Sequence, residues 1–259
     1  MRIQRLSIWV FLLALTLSRA AYSAPLHTPI FNDGEKLRYK ISGVRNVERA
    51  LGVPPPIEYV NSFQHLRDES GKKIIRQLTN EIRDNNTVVN WRFDYADTYP
   101  HTRSLNFSRS LISGGQIEAF SEYASFNDPF LNFPENIVHP VATPFILGGI
   151  DRKAGSPQAD VYSWLQDGRP FHLFVEFAGE ESLKAPAGTF KTWKARLKVD
   201  RKQAIEPWGI FGKLIASMIP DFTLWYDSAP PYRLVKVRVE FSPGTPGAPL
   251  YYQELVEIK

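Results

Sequence analysis

The sequence of 259 residues has no cysteine, two methionines and five histidines. The missing cysteine excludes disulfides, thiolate metal sites, cysteine nucleophiles and a lipid on a mature N-terminal cysteine. The histidines, His27, His65, His101, His139 and His172, are scattered with no close pair, so no metal or other cofactor is expected. The sequence also lacks a G-x-S-x-G elbow, an H-E-x-x-H pair and a phosphate-binding glycine loop. A strong charge bias is missing too. The chain carries 31 Lys and Arg against 27 Asp and Glu, and Arg2, Arg5 and Arg19 fall in the first 24 residues, which leaves 28 against 27 beyond them. Near-neutrality gives no footprint for nucleic acid, and none is expected as a partner.

Long apolar runs are scarce. One stands out, Ile8 to Leu17, "IWVFLLALTL", broken only by Thr16. It is shorter than the about 20 residues that cross a bilayer as a helix. Arg2 and Arg5 precede it and the small residues of "SRAAYSAP" follow. Charged start, apolar centre and small-residue end are the order of a secretory signal peptide. Residues 1–24 are therefore expected to direct export, with cleavage after Ala20 or Ser23. Residues 25–259 are expected to form a single β-rich domain, soluble in the periplasm.

What the sequence has in quantity is aromatic side chains, 13% of the chain, and alternation with period two. In "GEKLRYKIS" Leu37, Tyr39 and Ile41 fall on one face and Lys36, Arg38 and Lys40 on the other. "VVNWRFDY" sets Val89, Trp91, Phe93 and Tyr95 against Asn90, Arg92 and Asp94. "LVKVRVEF" sets Val235, Val237, Val239 and Phe241 against Lys236, Arg238 and Glu240. Such runs are strands with one dry and one wet face, as antiparallel sheets have. Turn residues separate them: Gly114-Gly115, Asp167-Gly168, "DSAPP" at Asp227 to Pro231, and Gly244, Pro246 and Gly247. The alternation predicts roughly nine to eleven strands. Glu180 and Glu181 follow Gly179 and read as a solvated turn.

Two segments break the rhythm. Asp128 to Asp151 carries Pro129, Pro134, Pro140 and Pro144 and reads as a long loop with one short helix near Phe145. His139 lies in it, near Glu135 and Asp128, and reads as a solvated loop histidine with an acid–base role as the sharper alternative. Glu206 to Asp221, "EPWGIFGKLIASMIPD", reads as an apolar helix that Pro220 ends. The fold class that follows is mainly β: a strongly curved antiparallel sheet or open β-barrel with one apolar helix packed against it.

The candidate ligand-binding residues are the inner-face aromatics Tyr39, Trp91, Phe93 and Trp193, with Trp208, Phe211, Leu214, Ile215 and Met218 of the apolar helix. They either line a cavity for a hydrophobic ligand or fill the core, and the helix is either a lid or plain packing. No catalytic residue is assigned.

Several stretches resemble a known family. "FNDGEKLRYKISG" (31–43), "DGRPFHLFVEFAGEESLKAPAGTFKTWKARLKV" (167–199) and "FTLWYDSAPPYRLVKVRVEF" (222–241) are similar to the bacterial family called domain of unknown function 3108. Gly179, Glu180, Pro186, Gly188, Phe190, Leu224, Trp225, Asp227 and Pro231 carry the likeness, over roughly the last 95 residues. The resemblance implies an exported, β-rich periplasmic protein and no activity. The segment from Glu206 to Ile219 departs from the family pattern by its length and apolarity.

The leading functional expectation is a non-enzymatic envelope protein that binds a hydrophobic ligand or lipid, with peripheral membrane contact. The alternatives are an envelope scaffold acting through protein contacts, and a hydrolase using loop carboxylates or His139.

Overall fold

The computed structural model describes residues 31–46, 56–84, 86–96, 103–123, 137–150, 158–164, 170–206, 209, 219–241 and 247–259. The expected signal peptide, the Asp167-Gly168 turn and most of the expected apolar helix lie outside them.

Twelve strands form one antiparallel sheet: β1 (Lys36–Arg45), β2 (Glu58–Arg67), β3 (Lys73–Ile82), β4 (Thr87–Ala96), β5 (Arg103–Ser113), β6 (Gln116–Tyr123), β7 (Gln158–Trp164), β8 (Pro170–Ala185), β9 (Gly188–Val199), β10 (Pro220–Asp227), β11 (Leu234–Phe241) and β12 (Leu250–Ile258). Their order is β6-β5-β4-β3-β2-β1-β12-β11-β10-β9-β8-β7, so two hairpin meanders meet where β1 pairs with β12. Among the described residues the sheet is not closed, since β6 and β7 are its two edges.

The alternation read from the sequence sets the faces. Leu37, Tyr39 and Ile41 are buried, as are Val89, Phe93 and Tyr95, and Val237, Val239 and Phe241. The opposite face carries cross-strand ion pairs, including a bidentate Arg38–Glu58 at 2.6 and 2.8 Å, Lys198–Glu176 at 3.2 Å and Lys236–Glu254 at 2.7 Å. Lys236 and Glu254 are directly opposite and the other two pairs are diagonal; opposite charges on paired strands stabilise the pairing modestly.

Three expectations are corrected. Among the described residues the strand count is twelve rather than nine to eleven. Part of the reason is that β3 places Gln77, Thr79 and Glu81 on the same face as Ile75, which masks its alternation. Glu180 and Glu181 are not in a turn. β8 runs through them, and Gly179 sits in a bulge between the pairs Phe177↔Ala195 and Glu180↔Trp193. On the neighbouring strand Lys191 lies 2.9 Å from Glu180 and Lys194 3.7 Å from Glu181. Finally, Pro220 and Asp221 open β10, paired with Phe241 and Glu240, so the expected helix does not run to Asp221.

The turn at Pro186-Ala187 joins β8 to β9, with Ala185 opposite Gly188. Gly188 has φ of +144°, a backbone state that side chains with a Cβ adopt at a cost. Phe190 lies over this turn, 3.8 Å from where a Gly188 Cβ would be. The turn is tied back to the sheet although Pro186 and Gly188 are exposed. The Ala187 N–H donates to the Leu255 carbonyl of β12 at 3.1 Å, although β12 is four places from β8 in the sheet. The sheet is therefore curled strongly enough for its far strands to meet.

The expected short helix near Phe145 is present as α1 (Thr143–Ile146), followed by a 3-10 turn, Leu147–Gly149. Its setting is not that of a surface loop. Ile137, Val138, Ala142, Phe145, Ile146, Leu147 and Ile150 are all buried and belong to the main core. The segment enters by bridging Ile137 to Tyr162 of the edge strand β7, with Val138 N–H donating to the Tyr162 carbonyl at 2.8 Å. It then crosses the inner face. Phe145 meets Tyr39 edge-on at 5.7 Å and lies 6.4 Å from Phe63, which stacks on Phe31 at 3.7 Å. Gly148 passes so close that a Cβ would lie 2.8 Å from the Tyr232 carbonyl oxygen. A second short helix, α2 (Arg201–Ile205), is capped by the Asp200 carboxylate, which accepts from Gln203 N–H at 3.1 Å.

Candidate functional site

Residues directly opposite one another on paired strands share a face, so the register of β2 to β6 defines rows across the inner surface. One row is Phe63, Gln77, Phe93 and Phe107. The next, two residues along each strand, is Asn61, Thr79, Trp91, Arg109 and Ser121. A third begins Tyr59, Glu81 and Val89.

The first row is covered by the 137–150 segment. His139 lies 4.8 Å from the Phe93 ring, 4.6 Å from Phe107 and 5.3 Å from Trp91. It is buried, and its Nδ1 accepts from the Val141 N–H at 3.2 Å. Burial alone pushes its pKa down to about 3, so the ring is neutral at ordinary pH. The expected solvated loop histidine is thus a core residue. The sequence signal for this was Val138 and Val141 flanking it, which read equally well as loop.

The second row is fully or half buried. Its Asn61 and Thr79, and Gln77 of the first row, are inaccessible to water. Gln77 Nε2 donates to Asn61 Oδ1 at 3.1 Å and to Thr79 Oγ1 at 3.0 Å, while Tyr95 OH donates to Gln77 Oε1 at 3.3 Å. The Asn61 Nδ2 has no hydrogen-bond partner. Trp91 is half-buried and donates from Nε1 to Glu81 Oε2 at 3.3 Å. The other Glu81 oxygen accepts from Arg83 Nε at 2.8 Å. The Arg109 guanidinium lies over the Trp91 ring, 5.3 Å from its centre. Its Nε is buried without a partner.

Tyr59 and Tyr251 stand beside this row, their rings half-buried. Desolvation raises the Tyr251 hydroxyl to about 12, with the negative charge of Glu81 adding to it. Tyr59 is raised well above its usual value for the same first reason. Glu81 of β3 and Tyr251 of β12 therefore act on each other across the curled inner face.

Of the four inner-face aromatics expected to meet a ligand, Trp91 alone is half-buried. Tyr39 is fully buried and its hydroxyl donates to the Leu234 carbonyl at 2.8 Å. Phe93 is packed under His139, and Trp193 stacks on Tyr226 at 4.4 Å with Phe177 edge-on at 5.1 Å. Trp208, Phe211, Leu214, Ile215 and Met218 lie outside the described residues. Among the described residues, no group of three His, Asp or Glu is placed to hold a metal. Sequence reasoning passed over Asn61, Glu81 and Arg109. The signal for Arg109 was its place in "NFSRSL", where it shares a face with Phe107 and Leu111.

The fold defines a class, that of curled, open antiparallel sheets with an internal plug. No family model matches the chain, and no curated protein matches it. Among solved structures it is similar to a β-barrel-like protein of domain of unknown function 1849 from Brucella abortus, at 9% identity and a TM-score of 0.47, over 91% of this chain and 99% of that one. It is also similar to a candidate exported protein with a YmcC-like fold from Bacteroides fragilis, at 14% identity and a TM-score of 0.32, over 91% and 99% of the two chains. A candidate lipoprotein from Parabacteroides distasonis matches at 14% identity and a TM-score of 0.37, over 92% and 99%.

Proposed function

We propose that this chain is an exported, non-enzymatic envelope protein that holds a hydrophobic ligand on the unplugged part of its inner face. The observation that carries the reading is the set of inward-facing aromatics left half-buried beside a filled core: Tyr59, Trp91, Phe222 and Tyr251. Aromatic rings on a concave face, with a few fixed polar groups between them, suit an apolar ligand with one polar end. The signal-like start at residues 1–24 supports a periplasmic location. The likeness to domain of unknown function 3108 fits the same setting, and its marker residues Pro186, Gly188 and Phe190 belong to the β8–β9 turn.

The test is uptake by delipidated protein. Native mass spectrometry and a fluorescent fatty acid should show one bound molecule, displaced by unlabelled lipid. No uptake of either fatty acid or phospholipid would remove the ligand reading.

A scaffold role is favoured by a different observation. Ile117 is 66% and Phe120 63% exposed on the edge strand β6, a place where a partner strand can add. In-cell crosslinking from position 120 that captures no reproducible partner would count against it. The hydrolase reading has little left to stand on at His139, whose Nδ1 is engaged by the Val141 N–H and whose ring is enclosed by aromatics.

A further inference from the structure

The inner face carries a cation that no described carboxylate balances. Arg109 faces inward from β5, opposite Trp91 and in the row of Asn61 and Thr79. It makes no hydrogen bond or ion pair with any described residue, and its Nε is shut away from water. Glu81, an acid on the same face two residues along, is taken by Arg83 and by the Trp91 indole. The Trp91 ring holds the guanidinium in place without neutralising it, since a cation–π contact leaves its donors free. Buried donors without acceptors are uncommon in folded proteins and each one asks for a reason. A second stands in the same row: the side-chain N–H₂ of Asn61, fully buried and without a partner.

We propose that Arg109 is the head-group anchor of an anionic amphiphile, a carboxylate or phosphate ester on an apolar chain. The anion accepts from the guanidinium beside Trp91. The apolar chain lies against the half-buried aromatics. This rests on the ligand-binding reading above and adds the charge of the ligand. A planar guanidinium matches a carboxylate or phosphate with two parallel donors, and a bond between charged partners is about twice as strong as a neutral one. Ser121, opposite Arg109 on β6, places a hydroxyl on the same side of the sheet.

The experiment is a titration of the delipidated full chain with oleate, lysophosphatidate, oleyl alcohol and inorganic phosphate, read by calorimetry and Trp fluorescence. Oleate and lysophosphatidate should bind about tenfold or more tighter than oleyl alcohol. Arg109→Gln should remove that preference, and Arg109→Lys should restore part of it. Equal affinity for oleate and oleyl alcohol in the unmodified chain overturns the anchor while leaving a ligand site in place, and needs no variant to fold. Inorganic phosphate binding as tightly as lysophosphatidate overturns the amphiphile and leaves a bare anion site. If nothing binds, both the anchor and the ligand reading fall.

Discussion

Two neighbouring rows of the same inner face have opposite characters. Phe63, Gln77, Phe93 and Phe107 lie under His139 and Phe145, and the three phenylalanines are sealed in apolar contact. Two residues along each strand, Asn61, Thr79, Trp91 and Arg109 carry donors, a cation and a half-buried ring. A step of two residues is about 7 Å along a strand. The difference teaches that one sheet can divide its concave side into an apolar, fully buried part and a polar, partly buried part among the described residues. The division is made by a segment from elsewhere in the chain, residues 137–150, rather than by the strands themselves.

The contrast can be broken most strongly from the plugged side. Phe145→Ala removes a ring that is 5% exposed and should cost about 3–5 kcal/mol in denaturant unfolding. Trp91→Ala, on the other row, should cost less and weaken ligand uptake; equal losses of stability in the two variants would erase the distinction.

The pH dependence of stability comes next in size. Above pH 6.5 His139 is neutral folded and unfolded, so its contribution is complete. Between 6.5 and about 3 the unfolded chain takes up a proton that the buried ring refuses, and stability falls by about 1.4 kcal/mol per pH unit from this residue. His139→Leu should flatten that slope. An unchanged slope in the variant would place the acid sensitivity elsewhere.

Gly188→Val should cost roughly 1–3 kcal/mol, from backbone strain at φ +144° rather than from a clash, since Phe190 is 3.8 Å away. Ligand uptake in the folded variant should be normal. Arg109→Gln should change stability by about 1 kcal/mol or less, because its contact among the described residues is the cation–π contact with Trp91. A large destabilisation would turn the proposed anchor into a structural residue. Lys198→Ala, which breaks an exposed pair with Glu176 at 3.2 Å, should have the smallest effect, under about 0.5 kcal/mol in a melting experiment.

Much of the fold was legible. Alternation in β1, β4 and β11 named the buried face correctly, and Gly114-Gly115 marked a real hairpin turn. β3 was harder, because its inner face is polar, and the Gly179 bulge looked like a turn because a positive φ and two acids serve either. The site was far less legible. Trp91 was visible as an inner-face aromatic. His139 was assigned to solvent, and Arg109, Asn61 and Glu81 passed unremarked, since their meaning depends on what lies opposite them.

By itself the sequence determined the class of structure and its two faces, because a period of two fixes which side chains point together whatever the sheet's final shape. It also excluded cysteine chemistry. Only the tertiary structure decided which part of the dry face is filled. That depends on pairings such as Ile137 with Tyr162 and His139 with Phe107, and on the curl that brings Ala187 to Leu255. These contacts join residues far apart in the chain, and local periodicity carries no information about them.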